Sequence, residues 1–518
     1  MSRLNISSQN LNVYSQSLIR DIQLARVYKQ KLHSTLNRSA KRESSIAIAY
    51  EKARNAVEYK DEHLIRQSAI ERILKRRLFL NQSNEKVASL LIKELVWAKY
   101  IDSNLADDGT IDKLKNIIKK YREAGLLVPN SSKSSLLVGL CACEIDDLLN
   151  FNPEDQIVIN YVSSIIESII KFEEEDKPTK SIQTYIATER SFARNSEILI
   201  RYKLLKVLLP KWSDPVLLLK VMDTIEEHLN YKDKDLIRRK VSQISAPFNL
   251  IRDFVIEETT ELGKLSNDTN KLNEKLTEIL NKKYIDTKDK VLRASKRSIV
   301  YIFLTKMVIA LLIEIPFDML VGSINFVVLA INVLFPPSLM VLFNSRVKLP
   351  DQNNTALMLD KVNEYMYSNP QNFKTETIIA NTEKSTIEKV FQVVFLTTSI
   401  LFVIALIYLL NLLDFNIISQ LIFLFFLSVV SFFAYRVKEI SNDYLVFEST
   451  NESFFETLLD YLFLPIIKSG QWLSSQVSKI NILSFIFDFI IEAPLKSFLE
   501  IFEQWLHFVR VKKEEFLG

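Results

Sequence analysis

Three charged residues in the apolar second half of the chain stand out by type and spacing. Lys306, Glu314 and Asp318, with Ala310 between the first two, follow one another at four-residue steps, so they share one stripe of a helix. A charge inside a membrane is costly and by default marks a functional site, such as an ion or proton path. The same side chains also serve a plainer role if Lys306 pairs or snorkels and the two acids sit at an interface where the helix turns.

A second group is basic. Arg72, Lys75, Arg76 and Arg77 occupy about one and a half turns of a helix that the apolar residues Ile65, Ala69, Ile70, Ile73, Leu74 and Leu78 define by their three- and four-residue spacing. Such a cluster is either a contact patch for lipid headgroups, RNA or an acidic partner, or the solvated face of that helix. No aromatic residues interleave it, so it lacks a base-stacking platform.

The other chemistry-bearing residues form no recognisable constellation. Cys141 and Cys143 lie in Leu-Cys-Ala-Cys-Glu beside Leu136, Leu137, Val138 and Leu140; the pair supplies two metal ligands at most, and its surroundings read as core. With no distant cysteine there is no disulfide framework, which suits a reducing compartment. Of the histidines, His33, His63, His228 and His507, none sits in His-Glu-x-x-His. Asp61-Glu62-His63 and Glu226-Glu227-His228 set carboxylates beside a histidine, but adjacent residues point to different parts of a helix surface. The acidic stretch Asp102–Gly109 has its glycine at the wrong position for a calcium loop. The dispersed glycines form neither a phosphate-binding loop nor a Gly-x-Ser-x-Gly elbow. The expectation is a protein without cofactor, metal or catalytic centre.

The elements that must position these residues are helical. Glycine and proline number only 7 and 13 among 518 residues, about 4% together against roughly 12% on average. Sheet-rich folds spend both on turns, so their scarcity predicts long helices. Helices are expected over about 84–100, 111–124, 156–175, 180–209, 214–229, 234–245 and 247–262, with one long helix from about 265 to 296 leading into the apolar half. The stretch Pro129–Ser135 reads as a linker. No fixed internal period is present, which favours an irregular helical bundle or array over a named repeat.

Two runs are apolar enough to cross a membrane. Val390–Leu413 holds 24 uncharged residues and Ile417–Tyr435 holds 19, enough at about 1.5 Å per residue for a hydrocarbon core of about 30 Å. An earlier pair, Ser298–Leu320 and Val321–Phe343, is interrupted by Lys306, Glu314, Pro316, Asp318, Asn325, Asn332 and Pro336-Pro337; it either crosses or dips in as a re-entrant pair. Lys290, Arg293, Lys296 and Arg297 precede this pair and Arg346 and Lys348 follow it. Lys384 and Lys389, then Arg436 and Lys438, flank the second pair. Basic flanks at both ends of both hairpins predict cytoplasmic N- and C-termini. The opening Met1–Ser8 has no apolar run and no myristoylation glycine, so no export or lipid signal is expected there.

The fold expected is all-α, a soluble helical bundle or array followed by a helical membrane domain of two hairpins and C-terminal amphipathic helices. Its regions are 1–130, soluble and helical; 131–297, a second soluble helical region, basic and leading into the membrane; 298–343, the first hairpin; 344–389, a cytoplasmic loop with an amphipathic helix; 390–435, the second hairpin; and 436–518, interfacial helices carrying Trp472 and Trp505. Residues 1–297 carry a net charge of +10 and residues 298–518 of −6, which suits a domain held against an anionic leaflet. The function expected is an anchored scaffold or tether in a plasma or inner membrane, touching membrane lipids and binding a protein partner on the cytoplasmic face; nucleic acid and self-association are further partner classes. The alternative is an oligomeric transporter or channel using Lys306, Glu314 and Asp318.

Overall fold

The computed structural model describes residues 11–34, 62–102, 107–128, 132–150, 152–172, 177–258, 268–321, 325–373, 376–378 and 386–446, together with positions 263, 468, 505 and 509. Among the described residues the chain is all-α apart from two three-residue strands, Ile170–Phe172 and Glu376–Ile378, which pair in parallel with Ile170 opposite Glu376. Packing divides the chain into two units. One gathers Met1–Ser15, Ser168–Glu174 and Ser242–Lys479, the other Gln16–Glu167, Glu175–Val241 and Ile480–Gly518. This division differs from the expected succession of regions. Residues before 129 and after 131 share one core, so the expected border at 130/131 lies within a unit, and Ser132–Ser135, expected in a linker, already belong to the helix Ser132–Leu149.

The second of these units is a helical array. Its helices are α1 (Val13–Ser34, from Gln16 onward), α2 (Glu62–Phe79), α3 (Asn84–Trp97), α4 (Asp108–Leu126) and α5 (Ser132–Leu149). They continue with α6 (Pro153–Ile169), α7 (Lys177–Ser191), α8 (Glu197–Leu208), α9 (Pro215–Leu229) and α10 (Lys234–Ile244). Ile70, Ile73 and Leu74 of α2 pack with Val87, Leu91 and Leu95 of α3, Leu114, Ile118 and Tyr121 of α4, and Leu137, Cys141 and Ile145 of α5. Each set recurs at three- or four-residue steps, the stripe an amphipathic helix buries.

Polar residues set the ends of these helices. Ser83, Asp107, Ser196 and Asp214 each accept a backbone N–H of the first turn they precede. Pro215 at the first helical position of α9 lacks only an N–H that would have had no helical partner. The helix expected over 180–209 is two helices. The chain turns at Arg194 with φ of 52°, Asn195 N–H bonds the Glu189 carbonyl, and Ser196 caps α8. The Ser196 hydroxyl accepts the Leu199 N–H, a backbone bond that competes with a continuing helix. The helix expected over 156–175 likewise stops at Ile169, where the short strand begins.

The other unit contains the apolar helices. After α11 (Ala246–Glu257), α12 runs without interruption from Thr269 to Ile309, 41 residues, which carries the expected long helix straight into the apolar half. A π-helical turn, Ala310–Glu314, and α13 (Ile315–Val321) complete the first ascending segment, and α14 (Phe326–Ser345) returns. Helix α15 (Gln352–Tyr367) is the one expected in the following loop. Helices α16 (Thr386–Leu412) and α17 (Ile417–Ser441) form the second hairpin around a tight turn in which Asp414 has φ of 61°. The described chain then ends in a short 3₁₀ turn, Asn442–Tyr444. The interfacial helices expected beyond it lie outside the described residues, apart from positions 468, 505 and 509.

Four helices, within Thr269–Leu320, Phe326–Ser345, Val393–Leu412 and Ile417–Tyr444, are long and apolar enough to cross a membrane. Helices α12, α14 and α17 pack on one another around Ile302, Met340, Phe426 and Val430, all at most 2% exposed. Helix α16 lies at the edge, with almost none of its apolar window buried. Large apolar side chains such as Leu304, Leu312, Leu334, Leu401, Tyr408 and Leu421 face outward along these helices. An apolar exterior on this scale is unlike the surface of a soluble monomer and matches lipid contact.

Candidate functional site

The π-helical turn has a local cause. Pro316 lacks an N–H and its ring crowds the carbonyl four residues back. The preceding turn widens, so that Ile315 N–H donates to Ala310, five residues earlier. The widening changes which side chains align. On an α-helix a four-residue step drifts by about 40°, so Glu314 would stand about 80° around from Lys306. The wide turn winds back against that drift and sets the two on one face.

The result is a closed polar cluster in the apolar bundle. Lys306 Nζ lies 2.5 Å from Glu314 Oε1, and Asn332 Nδ2 of α14 donates to Glu314 Oε2 at 2.7 Å. On the third side, the Lys306 ammonium stands 5.0 Å from the centre of the Phe426 ring of α17, close enough for a cation–π contact. The three polar residues are 0%, 1% and 1% exposed. Paired charges cancel much of the penalty that a lone charge meets there. Asn332 Oδ1 has no hydrogen-bond partner among the described residues. Pro336 also removes the N–H that would have bonded the Asn332 backbone carbonyl.

Asp318 does not join this cluster. It is half-buried, and its Oδ1 accepts from Asn416 Nδ2 at the turn between α16 and α17. Asn416 also caps α17 through Ser419 N–H, and Gln420 ties the turn to Asn411 and to the Phe415 carbonyl. The Asp318–Asn416 bond joins the tips of the two hairpins. Tyr301 meets Phe433 at 5.6 Å and Lys306 meets Phe426, so α12 and α17 run antiparallel in one register from base to tip. The first hairpin therefore extends as far along the bundle as the second.

Sequence reasoning picked out Lys306 and Glu314 because charges interrupt an apolar run. Asn332 entered it only as an interruption, and Phe426 not at all. Their part depends on the register of α14 and α17 against α12, which spacing within one helix does not reveal.

The basic cluster of α2 is largely turned inward. Arg76 and Arg77 both donate to the buried Glu94 of α3, Lys75 pairs with Glu71 at 2.6 Å, and Arg72 is 7% exposed. The geometry gives Arg76 and Arg77 a cross-helix role and Lys75 a partner on its own helix. A second buried carboxylate, Glu189, receives Lys203 at 2.9 Å together with Asn195. Glu94 and Glu189 look like ordinary surface glutamates in the sequence; only the tertiary pairing marks them.

Cys141 and Cys143 are buried. Burial pushes both thiols well above their ordinary range, with the charge of Glu144 adding for Cys141 and that of Glu71 for Cys143. Among the described residues no group of three His, Cys, Asp or Glu side chains is placed to hold a metal ion. Comparison of the chain with family models, with curated proteins and with solved structures returns no match.

Proposed function

We propose that the chain is a four-span integral membrane protein that anchors its helical array at the cytoplasmic face of a plasma or inner membrane, where the array binds a protein partner. The observation that supports this most is the pairing of an apolar-surfaced four-helix segment with a separately packed helical unit that carries its own exposed apolar end. Phe79, Leu126 and Val207 are 70%, 74% and 69% exposed. They lie near turns that are tied together. Arg122 reaches the Gln82 carbonyl at 2.9 Å, and Tyr121 meets Trp212 edge-on at 5.0 Å. Exposed apolar clusters of this kind mark interaction surfaces. The reading assigns the chain no catalytic step.

Alkaline carbonate extraction of membranes carrying the full chain tests the anchoring, which requires the protein to remain in the pellet. Release into the wash would make the apolar helices part of a peripheral protein. Leu126→Asp with Val207→Asp tests the partner surface. Loss of a co-purifying protein at unchanged thermal stability supports it, and unchanged co-purification removes it.

A second reading, an oligomeric transporter or channel, draws on the buried Lys306–Glu314–Asn332 cluster with its unpartnered Asn332 oxygen. Glu314→Gln combined with Asp318→Asn is its test, and unchanged ion flux in reconstituted vesicles would end it.

A further inference from the structure

The antiparallel register of the bundle has a consequence at its base. Extending it four residues from the Tyr301–Phe433 contact brings Arg297 level with Val437. Extending the α12–α14 register from the Glu314–Asn332 contact brings Tyr301 level with Ser345, the last residue of α14, and Arg346 and Lys348 follow directly. Arg293, Lys296 and Arg297 of α12, Arg346 and Lys348 after α14, and Lys438 of α17 therefore lie together at the base of the bundle, within about two helical turns. All six are exposed. Among the described residues no carboxylate forms an ion pair with any of them, whereas the neighbouring Arg436 meets Glu439 at 3.3 Å. The nearest acids on α12, Asp286 and Asp289, lie one to three turns farther from the apolar stretch. Immediately on its other side the exterior is apolar, with Val300, Tyr301 and Leu304 each more than half exposed.

We propose that this basic collar is a binding site for the phosphate-bearing headgroups of anionic phospholipids in the leaflet around the base of the bundle. The occupant follows from charge and position. Six cations without an ion-pair partner among the described residues line the bases of α12, α14 and α17 where the apolar exterior ends, which is where lipid phosphates lie. Cations beside an anionic surface each strengthen the attraction roughly fivefold, and the effect fades within a Debye length. The collar gives the four helices a fixed depth and a fixed sidedness.

The proposal rests on the reading that the four helices span a membrane. Carbonate extraction reports that reading separately, so a retained protein with no lipid preference defeats the collar alone. The experiment follows thermal unfolding of the full chain in neutral detergent micelles while phosphatidylglycerol, phosphatidylcholine or inorganic phosphate is added. Phosphatidylglycerol is expected to raise the midpoint saturably, with a half-saturating concentration that climbs with added NaCl. The other two additives are expected to do neither. Combining Arg293→Gln, Lys296→Gln and Arg297→Gln is expected to raise the half-saturating concentration on the order of 100-fold. Lys282→Gln with Lys288→Gln, on exposed positions of the same helix farther from the bundle, is expected to leave it within about threefold. Equal stabilisation by phosphatidylcholine, insensitivity to salt, an effect reproduced by free phosphate, or an equal loss in the distant variant would each overturn the proposal.

Discussion

Lys306 and Glu314 are each tolerable in the bundle because of the other, so their energetics are those of a pair. Removing one partner strands a charge in an apolar setting, while removing both leaves packing that neutral side chains of similar size can fill. Lys306→Met alone is expected to destabilise the protein by about 3–5 kcal/mol. Lys306→Met with Glu314→Gln is expected to recover most of that loss. Unfolding of the detergent-solubilised variants measures the cycle, and additive losses would show that the two side chains act independently. A second residue-level consequence concerns Cys141 and Cys143. Buried thiols held well above their ordinary range supply almost no thiolate. Neither is expected to react with a maleimide in the folded protein, and both are expected to label within minutes in denaturant. Rapid native labelling of either would contradict its burial. The core role of the two cysteines was legible because apolar neighbours at helical spacing surround them. The pairing of Glu94 with two arginines was not, since an acid on one helix and a basic run on another carry no sequence sign of their meeting.

At the scale of elements, close approach between helices explains one of the few glycines. A Cβ at Gly139 of α5 would stand 2.7 Å from Ile198 Cγ1 and 2.9 Å from Ile198 Cδ1 of α8. The absence of a side chain is what lets those helices meet. Gly139→Ala improves helix propensity but forces Ile198 to move, and overpacking of this kind costs about 1–3 kcal/mol. The net expectation is a lower melting temperature for Gly139→Ala, restored in part by Ile198→Val. A stabilised Gly139→Ala protein would show that the contact gives way freely. Helix existence was legible along most of the chain because apolar stripes and caps are local. The break at Arg194 was missed because the apolar residues on either side continue the helical period through it. The π-helical turn was likewise hidden. Pro316 announces a disturbance, but whether a kink, an end or a widened turn results depends on which bonds the neighbouring helices let the backbone recover.

For the whole molecule the two hairpins share one polarity, since Asp318 and Asn416 join their tips and the basic residues collect at their bases. The basic flanks already gave the shared polarity in the sequence, whereas the joining of the tips was not legible there, and hydropathy alone leaves a charged, proline-containing pair such as 298–343 open to a re-entrant reading. The compact units were illegible for a related reason. Both are assembled from segments distant in sequence, and a composition shift at one point of the chain does not report such pairing. The shared polarity makes a topology that a single reagent can read. With Cys141 and Cys143 silent in the folded protein, a cysteine at Asp414, in the turn between α16 and α17, is expected to react with a membrane-impermeant maleimide added outside intact cells. A cysteine at Lys348 is expected to react only after the membrane is opened, because basic flanks stay on the cytoplasmic side. The reverse pattern would invert the bundle. Labelling of both sites from one side would mean that the second hairpin does not cross, and the first, which extends as far along the bundle, would fail with it.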